Sequence, residues 1–211
     1  TAGVHQLAMT TAKLRNQLAF FSDGLGMELV ALYWMHCVEN PFHGFLRLND
    51  ESSIAFVQSP DIKKIGVEIG VTHAGNPGGP SAPGSTQHIA LAVKNHKELM
   101  AMRDRVRSKG VPVMGPVDHG FCNSIYFAGP ENLTLELSYS EEPINQEAWI
   151  DPEVVALNGI SPEELAHFKA PRDFEDQGGS IPQPELKPSA PHMTGFPEGA
   201  YELIMGMSDA Q

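Results

Sequence analysis

The feature that most constrains the fold is a weak internal repeat, in which two segments of the chain show the same order of predicted elements. Each segment opens with an apolar, strand-like stretch, continues into a helical pattern, and ends in three further strand-like stretches. Two copies of one element order predict two similar modules that share a core. We therefore predict an α+β fold made of two βαβββ modules.

In the first copy, the helical pattern is followed by glycines at positions 24 and 26, which suit the C-terminus of a helix. The stretches after these glycines are rich in apolar and β-favouring residues, as expected of strands. The predicted elements of this copy are a strand around His5, a helix with Leu14, Leu18 and Phe21 on one face, and strands at 27–34, 44–48 and 53–57.

The second copy repeats this order after a segment rich in proline and glycine. Its elements are a strand at 88–93, a helix with Leu99, Met102 and Val106 on one face that stops at Gly110, and strands at 111–117, 123–127 and 133–139. The predicted organisation is a first module at 1–71, a linker at 72–85, a second module at 86–141, and C-terminal helices with an extended tail at 142–211.

Beyond the repeat, two capping patterns predict short helices. Asp151 precedes a proline at the first helical position, and Ser161 with Glu164 forms a capping-box pattern. The first helix is expected to run to Leu157 and the second to about His167. From position 171 onward, proline, glycine and acidic residues dominate, so an extended tail is expected in which only 201–205 could pack.

Composition excludes several classes of function. A formal net charge of -12 disfavours nucleic acid, because binding to phosphates depends largely on lysine and arginine. No apolar run is long enough to cross a bilayer, and the first residues lack the pattern of a signal peptide, which predicts a cytoplasmic protein. Two cysteines, Cys37 and Cys122, are too few for a disulfide framework, and we expect both to be reduced and buried.

The chain has nine histidines, and a single histidine on a strand is more often a structural residue than a ligand. His5 and His88, however, each lie on the first strand of a module, so a pseudo-twofold axis would bring them to equivalent places facing one cavity. The last strand of the second copy adds Glu136, where the first copy has Ala55. An apolar strand makes this carboxylate costly to bury without a cation or hydrogen bonds, although it could also face water.

One part of the second copy resembles a known family. The run from Val117 to Glu136 contains Asp118-His119, then Ile125-Tyr126 after five further residues, and Gly129-Pro130 before the glutamate. This run is similar to the signature of the extradiol ring-cleaving dioxygenases. In addition, the helix ending at Phe20-Phe21 and 25–27 looks like that of the wider vicinal oxygen chelate superfamily, which includes glyoxalases and bleomycin resistance proteins.

The resemblance implies that His5, His88 and Glu136 bind one divalent metal, which would be iron(II) in a dioxygenase. It also implies that His119 lies near the oxygen or substrate site and that Tyr126 contacts a metal-bound hydroxyl. Each of these two has an ordinary alternative, a loop histidine and a strand tyrosine with its hydroxyl at the surface. The modules would then form an open, cup-shaped mixed sheet around the metal site.

The sequence departs from the family pattern at two places. In the signature turn, Gly129 and Asn132 replace the usual residues, a change that a turn can absorb. More seriously, 51–53 is Glu-Ser-Ser where the extradiol enzymes have a histidine that acts as acid-base catalyst. His43 or His36 could supply that function from a neighbouring strand, but nothing in the sequence places either one in the cavity.

Three functions remain open at this point. The first is cleavage of a catechol-like aromatic diol with O2, by a homo-oligomer that is expected to be a dimer. The second is a glyoxalase-type lyase or isomerase with zinc, nickel or manganese, which normally has a fourth protein ligand where this chain has Ala55. The third is a metal-free module that sequesters a small aromatic or antibiotic-like ligand. Fold alone does not choose among these chemistries.

Overall fold

The protein is described by a computed structural model, which covers residues 1–35, 40–176 and 178–207. The chain divides into two compact units, Thr1–Trp149 and Ile150–Gln211. The first unit contains both predicted modules.

The first module is a four-stranded sheet with a helix on one face. Its strands are hydrogen-bonded in the order β1-β4-β3-β2, with β1 parallel to β4 and the other pairs antiparallel. The elements are β1 (Gln6–Thr10), α1 (Leu14–Ala19), which continues as a π-helical turn at Phe20–Gly24, β2 (Leu29–Trp34), β3 (Phe42–Arg47) and β4 (Ser53–Gln58).

The second module has the same topology. The order of its strands is β5-β8-β7-β6, and β5 is parallel to β8. The elements are β5 (Ile89–Ala92), α2 (His96–Ser108), β6 (Val113–Asp118), β7 (Asn123–Ala128) and β8 (Thr134–Tyr139). The predicted βαβββ repeat is therefore confirmed, with strand ends displaced by one or two residues. Both sheets are open and mixed, in agreement with the predicted α+β fold.

One hydrophobic core runs through both modules. Alternate residues of each central strand point into it, because side chains of a strand alternate between the two faces of its sheet. Leu135 and Leu137 of β8 are buried there, and α1 and α2 contribute further apolar side chains. Other members are Phe21, Leu46, Ile54, Phe56, Ile89, Leu91, Leu99, Val106, Ile125 and Phe127. Core burial thus leaves the other face of the second sheet for polar residues such as Tyr126 and Glu136.

A polar contact joins the modules at the turn before β8. The Glu131 carboxylate accepts hydrogen bonds from the hydroxyl of Thr11, from the backbone N–H of Ala12 (2.8 Å), and from Nε2 of Gln17 (2.9 Å). Thr11 and Gln17 are both only 1% exposed. Two of these donors lie between β1 and α1 and the third lies in α1, so one carboxylate of the second module fixes how that helix meets the turn.

The C-terminal unit contains the two predicted capped helices. Asp151 caps α4 (Pro152–Leu157), and the full capping box of Ser161 and Glu164 begins α5 (Pro162–Lys169). Most of the described tail lacks regular structure apart from α6 (Ala200–Met205). A short helix that was not predicted, α3 (Gln146–Trp149), ends the first unit, and a 3₁₀ turn lies at Ile62–Lys64.

No helix in the described part of the chain is long and apolar enough to span a membrane. Of the two cysteines, Cys122 is a free thiol that is half-buried rather than buried. Cys37 lies outside the described residues, as does His36.

Candidate functional site

The strand register places several polar groups on the open face of the second sheet. Tyr126 of β7 lies directly opposite Glu136 of β8, and Ala90 of β5 pairs with Glu136 on its other side. Residues two apart on a strand share a face, so Ser124 and Ser138 also lie on this side, where their hydroxyls are 3.1 Å apart. The opposite face is the apolar core, and the open face is therefore where this module can do chemistry.

His88 and Glu136 are in direct contact. Nε2 of His88 lies 3.1 Å from Oε2 of Glu136, whose side chain is only 7% exposed, whereas the His88 side chain is 35% exposed. Two adjacent ligands of an octahedral first-row ion, each at roughly 2.1 Å, are about 3.0 Å apart. An imidazole nitrogen and a carboxylate oxygen are also suitable donors for such an ion. The pair therefore fits two adjacent positions of a metal site.

His119 and Tyr126 form a second pair on the same face. Nε2 of His119 is 2.8 Å from the Tyr126 hydroxyl, and the rings of Tyr126 and His88 have centroids 6.4 Å apart. Burial raises the pKa of Tyr126, and the neighbouring Glu136 carboxylate raises it further. The hydroxyl thus stays protonated at neutral pH and can donate a hydrogen bond. His119, Tyr126, Glu136 and His88 form one connected group.

The first module contributes Gln6 rather than His5 at the position equivalent to His88. Core-facing Leu7 pairs with Ile54, as core-facing Ile89 pairs with Leu135. The residue before Leu7 is Gln6, whereas the residue before Ile89 is His88. The predicted equivalence of the two histidines is therefore wrong by one position, since an offset of one residue on a strand reverses the face.

His5 lies next to that position and is exposed, with Nδ1 3.0 Å from Oε1 of Gln6. Within the described residues of one chain, no group of three or more histidine, cysteine, aspartate or glutamate side chains is placed to hold a metal. The structure thus brings His88 and Glu136 together without His5. The three-ligand set stays a prediction.

A cavity of about 420 Å³ lies beside His88, between the edges of the two sheets. Its walls are the second half of β1, the start of β5, the turn before β8, and two parts of the segment between the modules. The lining is mainly aliphatic and hydroxyl side chains, including Met9, Ile65, Val67, Thr72, Thr86 and Thr134. His5 and Gln6 do not line it, because they lie at the other end of β1. The cavity can hold a small organic group next to His88.

The structure also shows what occupies the two positions where related enzymes have a fourth metal ligand and an acid-base histidine. Ala55 pairs with Ala8 as Glu136 pairs with Ala90, so alanine occupies the position of the glutamate in the first module, as predicted. Ser52 accepts hydrogen bonds at its carbonyl from the N–H groups of Leu48 and Asn49 in a hairpin turn. The residues at 51–53, none of which is a histidine, thus form a turn and one strand end.

His43 lies on β3 among aromatic rings, with the ring centroid of Phe45 4.4 Å away. It is 7% exposed, and its Nε2 has no hydrogen-bond partner. Burial lowers the pKa of His43, which keeps the ring neutral. None of its described contacts connects it to the group around Glu136, so the structure gives no support to a proton-transfer role for His43.

The structure gives a physical reason for each of the two unusual residues of the signature turn, Gly129 and Asn132. A Cβ at Gly129 would lie 2.9 Å from Cδ1 of Leu135, so a larger residue here would require the buried Leu135 side chain to shift. Asn132 has a φ of 61°, a left-handed conformation that asparagine tolerates better than most residues. Between them, Glu131 makes the contact with the first module described above. Sequence reasoning did not identify Glu131, since its partners are more than 110 residues away.

Comparison with known proteins places these observations in a family. A family model described as the Glyoxalase/Bleomycin resistance protein/Dioxygenase superfamily matches residues 3–137. None of the curated proteins compared with the chain matches it in sequence.

Several solved structures are similar to this chain at low identity, and the first of the three described here, with a TM-score above 0.5, shows the same fold. A glyoxylase/bleomycin resistance protein/dioxygenase domain from Frankia sp. EAN1pec is 14% identical, with a TM-score of 0.52 over 67% of this chain and 99% of that one. The antibiotic binding protein TnmS3 from Streptomyces sp. CB03234 is 15% identical, with a TM-score of 0.48 over 67% of this chain and 98% of that one. A mutant of the fosfomycin resistance protein FosX from Listeria monocytogenes, complexed with Mn(II), is 16% identical, with a TM-score of 0.48 over 70% and 98%.

Proposed function

Since the chain belongs to the glyoxalase, bleomycin resistance protein and dioxygenase superfamily, we propose that it is a metal-dependent enzyme of the extradiol type, which cleaves a catechol-like diol with O2. The superfamily also includes lyases and binding proteins, so the proposal depends on the site. The observation that supports it best is the His119–Tyr126 hydrogen bond beside the His88–Glu136 pair.

His88 and Glu136 would hold the metal, with a third donor from the first module. His5 is the donor that the sequence predicts, and Gln6 is the donor that the register favours. Iron(II), when bound, would supply the redox chemistry with O2 and a place for both diol oxygens. Because His5 and Gln6 do not line the cavity beside His88, we also propose that a second copy of the chain completes the site in a homo-oligomer.

The chain's own residues would position the diol and move its protons. The neutral Tyr126 hydroxyl would donate a hydrogen bond to a substrate oxygen next to Glu136. His119, which is exposed and bonded to that hydroxyl, would exchange protons between the site and solvent. The aliphatic cavity beside His88 would hold a substituent of the ring.

The test uses iron-loaded, anaerobically prepared protein and a panel of catechols, with oxygen uptake and the yellow ring-cleaved product followed together. We expect His119→Gln to keep its metal and to reduce turnover by about 10² to 10⁴, the usual effect of losing a general acid or base. His167→Gln, in a C-terminal helix, is the matched control and should have unchanged turnover.

No oxygen uptake by the unmodified protein with any catechol would refute the dioxygenase proposal. Turnover without oxygen uptake, in protein loaded with zinc, nickel or manganese, would instead support a lyase or isomerase. Ligand binding without metal or turnover would support sequestration.

A further inference from the structure

The side chain of Gln87 is held by a turn in the segment between the modules. Its Nε2 lies 2.9 Å from the carbonyl oxygen of Pro77, 3.1 Å from that of Gly79, and 3.4 Å from that of Asn76. Carbonyl oxygens can only accept hydrogen bonds, so the NH2 end of the amide must face them. The turn thereby determines which way the Gln87 amide points.

This orientation directs the other end of the amide at His88. Oε1 of Gln87 is hydrogen-bonded to Nδ1 of His88. Because an amide oxygen can only accept, Nδ1 must carry the proton. The second ring nitrogen, Nε2, is then the one that faces Oε2 of Glu136 at 3.1 Å. The turn carbonyls thus fix the orientation of the Gln87 amide, and the amide fixes which nitrogen of His88 carries the proton.

We infer that Gln87 is a positioning residue, which ties the turn at 76–79 to His88 and reserves Nε2 of that imidazole for the site. The role toward a metal rests on the proposed function, whereas the role toward His88 and the turn does not. Histidines that bind metals commonly donate their second N–H to an outer partner, which orients the ring. Here that partner is itself held by the backbone of a separate segment.

The turn is also held by hydrogen bonds of its own. The N–H of Gly79 donates to the carbonyl of Asn76 (3.1 Å), and the N–H of Gly78 donates to Oδ1 of Asn76 (2.9 Å). A Cβ at Gly79 would lie 2.3 Å from the carbonyl oxygen of Ala74, so the backbone is closely packed. Gln87 and His88 also line the cavity, together with other residues of the same segment. A ligand in the cavity would therefore contact Gln87 and His88 themselves.

Three substitutions separate the two ends of the amide. Gln87→Glu keeps an acceptor for Nδ1 of His88 but loses the donor to the turn. Gln87→Lys keeps a donor to the turn but loses the acceptor, and Gln87→Leu loses both. Each variant is first checked for an unchanged thermal midpoint and a dispersed amide spectrum, and any one variant that fails to fold leaves the other two as the test.

Two NMR readouts in metal-free protein test the inference. The Nδ1–H resonance of His88 should be present in the unmodified protein and in Gln87→Glu, and lost in Gln87→Lys and Gln87→Leu. Hydrogen exchange of the Gly79 amide should be as slow in Gln87→Lys as in the unmodified protein, and about tenfold faster in Gln87→Glu and Gln87→Leu, because the donor to the turn is gone.

An unprotonated Nδ1 in the unmodified protein would overturn the inference, and so would a Gln87→Leu variant with both readouts unchanged. Zn²⁺ affinity gives a third readout, which we expect to fall by about 10- to 100-fold in Gln87→Leu, as for other outer partners of metal-binding histidines. Since the NMR readouts need neither metal nor turnover, failure of the dioxygenase assay with these readouts intact would refute only the proposed function.

Discussion

Glu136 is the single residue on which the candidate site depends most. It is 5% exposed, and its Oε2 lies 3.1 Å from Nε2 of His88. A carboxylate in such a place is costly unless a cation or hydrogen bonds compensate its charge. Tyr126 lies opposite Glu136 on the neighbouring strand and His88 lies beside it, and the proposed metal would supply the positive charge.

We expect Glu136→Gln to lower the affinity for a divalent metal by on the order of 100-fold or more, because the amide keeps the shape but loses the charge. Calorimetric titration with Zn²⁺ or Mn²⁺ measures this effect. Glu142→Gln changes an exposed glutamate of the same unit and should have no effect. Equal metal affinity in both variants would show that Glu136 is not a ligand.

The choice between His5 and Gln6 can be decided by single substitutions. The register favours Gln6, whereas the sequence pattern favours His5. If the register is the better guide, Gln6→Ala should weaken metal binding by about 10- to 100-fold, and His5→Ala should weaken it much less. The reverse order would restore His5 as the third ligand. Both side chains are exposed, so neither change should unfold the protein.

At the scale of elements, the turn before β8 and the start of α1 depend on Glu131. Although burial raises the pKa of Glu131, hydrogen bonds from Thr11, Gln17 and the backbone of Ala12 lower it below its ordinary value of 4.5. A carboxylate whose pKa is lower in the folded state stabilises the fold above the ordinary pKa. That stabilisation is lost as the pH falls through the folded-state pKa.

Glu131→Gln should therefore reduce the free energy of unfolding at pH 7 by about 1 to 3 kcal/mol, the usual effect of weakening hydrogen bonds to a charged group. Urea unfolding followed from pH 7 to pH 3 is the measurement. The difference between the variant and the unmodified protein should shrink as the pH falls below the ordinary pKa of 4.5 and through the lower pKa of the folded state, because the unmodified carboxylate also becomes neutral there. A difference that is constant with pH would mean that the charge contributes nothing.

At the scale of the whole molecule, the prediction concerns whether one metal site is built from one chain or from two. His88 and Glu136 come from the second module, and the proposed third donor comes from the far end of β1 in the first. If a second copy supplies that donor, two inactive variants should complement each other. The first variant, His88→Ala, loses a donor of the second module. The other is a double variant, His5→Ala with Gln6→Ala, which loses the candidate donors of the first module.

After unfolding and refolding of the two variants mixed in equal amounts, we expect about a quarter of the original metal sites to reappear in a dimer, since half of the random pairs contain one intact site of two. Light scattering after size exclusion gives the number of chains, and metal content gives the number of sites. A mixture with as little metal as the separate variants would place the whole site within one chain.

Much of the fold could be predicted from the sequence because it depends on local patterns. Alternation of apolar residues at 133–139 predicts a strand with one buried face, and the capping residues Asp151 and Ser161 mark the starts of two helices. The repeated element order predicts the second module once the first is recognised. These signals need only the chemistry of neighbouring residues, which the chain carries whatever its tertiary contacts.

Only the tertiary structure decided which side chains meet. The register of β1 against β4 determines that Gln6, rather than His5, corresponds to His88, and a one-residue offset leaves almost no trace in composition or periodicity. The contact of Glu131 with Thr11 and the orientation of Gln87 depend in the same way on hydrogen bonds to distant or irregular backbone. Local preference thus determines the elements of this protein, whereas its site depends on side-chain geometry that arises only when two sheets and the segment between them pack together.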